Sequence, residues 1–166
     1  MGPGQAGGLL GSVGSVSIVE VTEQIDAPPE QVWALVGDPV ELAGLTAECT
    51  SMAWVGRSTG PAVGARFRGR NRSGWRRWST SCVIVRYEPG SEIAWDVAVG
   101  PLAVARWSYR VEPEGRGTTV RETFEDRRGV IVRTTSPLVR GTRDTEGRNR
   151  ANMTATLVRV KARAEA

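Results

Sequence analysis

From residue 52 to residue 126 the chain is a succession of short segments in which apolar and polar side chains alternate, each closed by turn chemistry. The breaks fall at Gly60-Pro61, Ser73-Gly74, Glu88-Pro89-Gly90, Gly100-Pro101 and from Glu114 to Gly117. A period of two bounded by Gly, Pro, Ser and acidic turn residues is the pattern of half-buried strands joined by tight loops. Strands are therefore predicted over 52–56, 65–71, 77–87, 92–99, 104–112 and 118–126. Loops this short leave no room for the crossover of a dozen or more residues that a parallel pair needs, so neighbours must run antiparallel as a meander.

The flanks have other periods. Residues 16–25 are β-branched and polar by turns, which predicts a first strand with an ambiguous inner face. Pro28 and Pro29 suit the first turn of a helix that carries Val32, Leu35 and Val36 at i, i+3 and i+4 with Trp33 beside them. Asp38, Pro39 and Glu41 then make a capping-box pattern for a second short helix with Leu42 and Leu45. After a basic, Pro-containing connector over 127–140, the segment from about Asp144 to the end has Met153, Leu157, Val160 and Ala164 at helical spacing. Arg148, Arg150, Arg159 and Arg163 take the other angles, the pattern of one long amphipathic helix. At 1.5 Å per residue, a helix of about 20 residues reaches roughly 30 Å, enough to cross the face of a sheet.

Because successive side chains in a strand point to opposite faces, each alternation assigns an inner set. Ala65, Phe67, Gly69 and Asn71 share one face, and Arg66, Arg68, Arg70 and Arg72 share the other, which must be wet. Ile93, Trp95, Val97 and Val99 form the apolar set of the next clear alternation; Trp107, Tyr109 and Val111 form that of the one after. In the last strand Val120, Glu122, Phe124 and Asp126 oppose Thr119, Arg121, Thr123 and Glu125, so Glu122 is expected to point inward. The strand over 77–87 is less decisive: Trp78, Thr80, Cys82 and Ile84 are the favoured inner set, with a bulge able to swap the parity partway. The inner list thus holds Phe67, Trp78, Trp95, Trp107, Tyr109 and Phe124 together with Asn71, Thr80 and Glu122. Those three polar groups need partners, whether one another, water or a ligand, because burying them unpaired is unfavourable.

At 166 residues with 40% hydrophobic and 24% charged side chains, the chain suits a single globular domain. Residues 1–15 are Gly-rich and read as a flexible lead-in, leaving one domain over 16–166. The chain has no histidine, which excludes His-based triads and imidazole metal sites, so no metal and no cofactor is expected. Cys49 and Cys82 stand far apart with no CxxC pair, and in the absence of a signal peptide two reduced thiols are expected. No apolar run approaches the roughly 18 residues that span a bilayer, so no membrane insertion and a cytoplasmic location are expected.

The order of strand, two short helices, meander and terminal helix comes with a set of local sequences. These are Ile25-Asp26-Ala27-Pro28 with Val32-Trp33 and Asp38-Pro39, the run Gly64-Ala65-Arg66-Phe67-Arg68-Gly69-Arg70-Asn71-Arg72, Arg77-Trp78, Glu88-Pro89-Gly90, Trp107-Ser108-Tyr109, and Gly117-Thr118 leading to Glu122. On these residues the chain resembles the START/Bet v 1-like (SRPBCC) superfamily, in particular its bacterial polyketide cyclase/dehydrase and lipid-transport-like branch, over residues 16–165. The resemblance implies an α+β helix-grip fold: a curved seven-stranded antiparallel sheet wrapped round a long C-terminal helix, with two short helices after the first strand. It also implies a cavity between sheet and helix for a lipid, polyketide or other hydrophobic guest.

Three functions follow as expectations. In the first, a small hydrophobic molecule binds inside a monomer or homodimer, with Asn71, Thr80 and Glu122 orienting it. Phe67, Trp78, Trp95, Trp107, Tyr109, Phe124, Met153 and Leu157 then line the walls, although each ring taken alone is ordinary core. The second is a polyketide cyclase, aromatase or dehydratase with Glu122 as general acid or base and Tyr109 or Asn71 at the developing oxyanion. Such a site also needs an inward cation, and Arg66, Arg68 and Arg70 have outward parity. The third is a surface for nucleic acid or an acidic partner on Arg66, Arg68, Arg70, Arg72, Arg76 and Arg77. With the aromatics inward, base stacking is not favoured and no nucleic acid is expected.

Overall fold

A computed structural model describes residues 16–128 and 145–166; the expected lead-in over 1–15 and most of the 127–140 connector lie outside them. The elements are β1 (Ile18–Ile25), α1 (Pro29–Val36), α2 (Pro39–Leu42) running on into a 3-10 turn (Ala43–Leu45), β2 (Cys49–Trp54), β3 (Arg66–Ser73), β4 (Arg76–Glu88), β5 (Glu92–Val99), β6 (Leu102–Glu114), β7 (Gly117–Asp126) and α3 (Thr145–Ala164). The seven strands make one antiparallel sheet in the order β1-β7-β6-β5-β4-β3-β2. From β2 to β7 this is the predicted meander, and β1 closes it by pairing with the last strand.

Local chemistry sets the helices as read. Pro29 stands in the first turn of α1, and the Asp38 carboxylate accepts from the Val40 amide at 2.8 Å, capping α2. The expected second helix is a single turn of α-helix finished in 3-10 geometry. The long helix α3 packs along β1 and β7 and against α1. Met153, Leu157, Val160 and Ala164 are buried beneath it, while Arg148, Arg150, Arg159 and Arg163 are exposed. This is the helix-grip α+β architecture.

The favoured parity of β4 holds as far as Ile84, where Cys82 and Ile84 are buried. A register shift between Ile84 and Arg86 then turns Tyr87 inward, opposite Ile93 and 6.0 Å from the Trp33 ring. At its other end the strand outruns its neighbour. β4 pairs with β5 only from Ser81 onward, so Arg76, Arg77, Trp78, Ser79 and Thr80 are held by β3 alone. Trp78, expected as a buried wall, therefore has inward parity but no β5 side chain beside it and stays 36% exposed.

Candidate functional site

The polar centre of the concave face lies at the middle of the β6–β7 hairpin. Its two-residue turn, Gly115-Arg116, has Gly115 at φ 60°, the conformation that a tight hairpin loop asks of its first residue. That turn fixes the register: counting back equal steps places Tyr109 opposite Glu122, both on the inner face. The Tyr109 hydroxyl donates to Glu122 Oε1 at 2.6 Å, and both residues are 2% exposed. Glu122 Oε2 is buried and has no hydrogen-bond partner among the described residues.

Burial penalises the carboxylate and raises the Glu122 pKa from 4.5 to about 8, against the smaller opposing effect of the Tyr109 hydrogen bond. Burial, then the charge of Glu122 and its hydrogen bond, holds the Tyr109 phenol well above its ordinary 10, so Tyr109 remains a donor throughout the neutral range. Near neutrality Glu122 is mainly the acid, able to give its proton to an acceptor at Oε2 and equally able to take one back.

Rings surround this pair across the sheet. Trp95 stacks on Tyr109 at 5.8 Å and 18°. Phe67 meets Trp95 edge-on at 5.8 Å, and Trp54 meets Phe67 edge-on at 5.7 Å. Two register pairs from Glu122, and next to it on the same face, Trp107 and Phe124 form an edge contact at 4.9 Å. Trp107 is only half-buried. Phe67, Met153 and Leu157 are at most 1% exposed and form the packed floor beneath this surface rather than an open wall.

Asn71 and Thr80 do not join Glu122. Asn71 Nδ2 donates to Thr80 Oγ1 over 3.4 Å on β3 and β4, and β4 stands three places from β7 in the sheet. At nearly 5 Å per strand that is on the order of 14 Å. The polar groups thus resolve into two separate centres. The second includes both thiols: Cys82 Sγ lies 3.9 Å from Thr80 Oγ1, while Cys49 Sγ faces the backbone at Arg70. Both cysteines are free; burial pushes Cys82 up to about 12 and raises Cys49 as well, so neither is poised as a thiolate.

Two features were not anticipated. Trp54 at the edge of the ring series sits in a strand whose parity was left unassigned. The Tyr109–Glu122 bond was equally unforeseen, although counting back from the Gly115-Arg116 turn would have found it. Among the described residues no three His, Cys, Asp or Glu side chains gather as metal ligands, and no helix is long and apolar enough to cross a membrane.

A seven-stranded antiparallel sheet wrapped round a long terminal helix is the fold of the START/Bet v 1-like (SRPBCC) class, and comparison with solved structures agrees. The solution structure of the Polyketide_cyc-like protein Cgl2372 from Corynebacterium glutamicum is 27% identical, with a TM-score of 0.60, over 89% of this chain and 90% of that one. Ginseng major latex-like protein 151 from Panax ginseng shares the fold at 11% identity, with a TM-score of 0.69, over 92% of this chain and 100% of that one. The di-domain ARO/CYC protein BexL of the BE-7585A biosynthetic pathway shares it at 22% identity and a TM-score of 0.66, over 91% of this chain and 50% of that one. No curated protein sequence matches the chain. Residues 17–165 match the family described as polyketide cyclase / dehydrase and lipid transport, and the chain belongs to that family.

Proposed function

We propose that residues 16–166 form one domain that binds a small, largely apolar molecule against the concave face of the sheet, anchored by Glu122. The observation that carries this reading is the buried Glu122 oxygen without a partner, beside one held by Tyr109. A protonated carboxyl in that position is a hydrogen-bond donor with nothing to receive it, and burial of an unanswered polar group is unfavourable by about 1–3 kcal/mol. A guest carrying one carbonyl or hydroxyl oxygen on an apolar body answers it, with Trp107 and Phe124 as the adjoining ring surface. Asn71, Thr80 and Trp78 form a second polar margin towards the β3–β4 end. Native mass spectrometry of protein purified from its own host tests this: a co-purifying mass lost on Glu122→Ala is expected. An apoprotein that takes up no apolar probe, with tryptophan emission unchanged on titration, would sink the reading.

A second reading is favoured by the same pair's proton chemistry. A carboxyl poised near pH 8 beside a phenol that stays protonated has the parts of a cyclase or dehydratase acting on a β-carbonyl chain. Glu122 as carboxylate takes the α-proton, the Tyr109 hydroxyl bonds the enolate oxygen, and the Glu122 acid returns the proton to the departing oxygen. Under this reading Glu122→Gln lowers turnover of a β-polyketide substrate by about 10²–10⁴ and leaves binding nearly intact. Turnover unchanged in that variant removes Glu122 from the mechanism.

A further inference from the structure

All charged residues between Glu48 and Glu88 are arginines, and no Asp or Glu occurs among them. Apart from Arg86 near the far end of β4, six fall on the β3–β4 hairpin: Arg66, Arg68, Arg70, Arg72, Arg76 and Arg77. All six are exposed, and none makes an ion pair with a described residue. Several other arginines are ion-paired: Arg106 on Asp96, Arg110 and, farther along β4, Arg86 on Glu92, Arg121 on Glu20 and Arg128 on Asp126. The six guanidinium groups nearer the hairpin turn have no such acid beside them among the described residues.

Three of the six converge. Arg72 and Arg77 are direct cross-strand partners, and Arg70 lies one step down the same face beside Ser79. Like charges directly opposite each other in a sheet are destabilising, so this placement opposes the folded state unless an anion from outside sits between them. Beside them β2 carries one extra residue, Thr50, between Cys49 and Ser51, a bulge opposite Arg70 and Asn71. A cleft of about 460 Å³ lies here, lined by Arg70, Arg72 and Arg77 and the hydroxyls of Thr50, Ser51 and Ser79, together with Asn71 and Trp78. Thr50 Oγ1 donates to the Arg70 carbonyl at 3.0 Å, fixing that wall of the cleft.

Forked, permanently charged donors together with hydroxyls match a tetrahedral oxyanion with several acceptor oxygens. We propose that this cleft binds a phosphoryl group, as a free phosphate ester or as the headgroup of a lipid. The neighbouring turn supplies what distinguishes the two sources: Trp75 is 87% exposed at the hairpin tip, with the Arg76 guanidinium 5.5 Å from its ring centre. Exposed tryptophan flanked by arginine is the combination that settles at a membrane–water interface.

The test uses the full chain, Arg72→Gln/Arg77→Gln and Trp75→Ala, each titrated with pyrophosphate at constant ionic strength and followed by arginine Nε–Hε resonances. Each is also floated with phosphatidylcholine vesicles with and without phosphatidic acid. Saturable shifts at Arg70, Arg72 and Arg77, weakened at least tenfold in the double variant, support the free ester as source. Flotation that needs phosphatidic acid and is lost in both variants supports the headgroup. Neither response, or either one undiminished in the double variant, overturns the proposal, as does retention on duplex DNA alone. The double variant removes a repulsion and is expected to melt no lower than the parent, so lost binding is not lost folding.

Discussion

At Glu122 the folded protein holds a proton more tightly than the unfolded chain does, because burial raises the carboxyl pKa from 4.5 to about 8. A group of this kind contributes no penalty below its unfolded pKa. As pH rises from about 4.5 to about 8 the folded state loses stability progressively, and above that the loss is constant. Glu122→Gln keeps the shape and the hydrogen bond but cannot ionise. Thermal unfolding from pH 5 to pH 9 is expected to show the parent falling relative to this variant by a few kcal/mol, all of it within that window. Parallel curves would mean that Glu122 titrates normally. Tyr109→Phe strips Oε1 of its donor, destabilises by about 1–3 kcal/mol, and moves the titration midpoint upward, since the Tyr109 hydrogen bond is the influence holding that pKa down. The inward aim of Glu122 was legible because the alternation of β7 is unbroken from Val120 to Asp126. Its partner was not, because parity names a face and says nothing of which residue stands opposite.

At the scale of strands, Gly69 shows how closely β3 and β4 approach. A Cβ built there would meet Thr80 Oγ1 at 2.7 Å and lie 3.7 Å from Asn71 Nδ2. Gly69→Ala is expected to destabilise by about 1–3 kcal/mol through overpacking. Adding Thr80→Ala should recover most of that, so denaturant unfolding of the two single variants and the double should be strongly non-additive. At the start of α2, Asp38→Ala removes the cap on the Val40 amide and should lower stability by about 1 kcal/mol in the same assay. Alternation and turn chemistry made the strands and their antiparallel sense readable. Alternation alone does not show where one strand outruns the next: Trp78 is exposed because β5, ending at Val99 as expected, stops short of the hairpin tip. The same limit explains why Asn71, Thr80 and Glu122, all assigned correctly to one face, turned out to occupy two centres: sharing a face leaves open the whole width of a seven-stranded sheet.

For the molecule as a whole, a guest bound only by the folded state raises stability by mass action. At a hundredfold excess over its dissociation constant the gain is about 2.7 kcal/mol. For a chain of this size that corresponds to a rise in Tm of roughly 5–10 °C, measurable by thermal shift with any molecule that native mass spectrometry identifies. The strand order has a consequence for synthesis. Among the described residues β1 has one neighbour in the sheet, β7, which is the last of the described strands to be made. A chain emerging from the ribosome N-terminus first carries β1 unpaired through the translation of every other strand. Closing that long loop, rather than zipping the local hairpins, then sets the pace of folding, and any message truncated before β7 yields a product whose first strand has nowhere to dock.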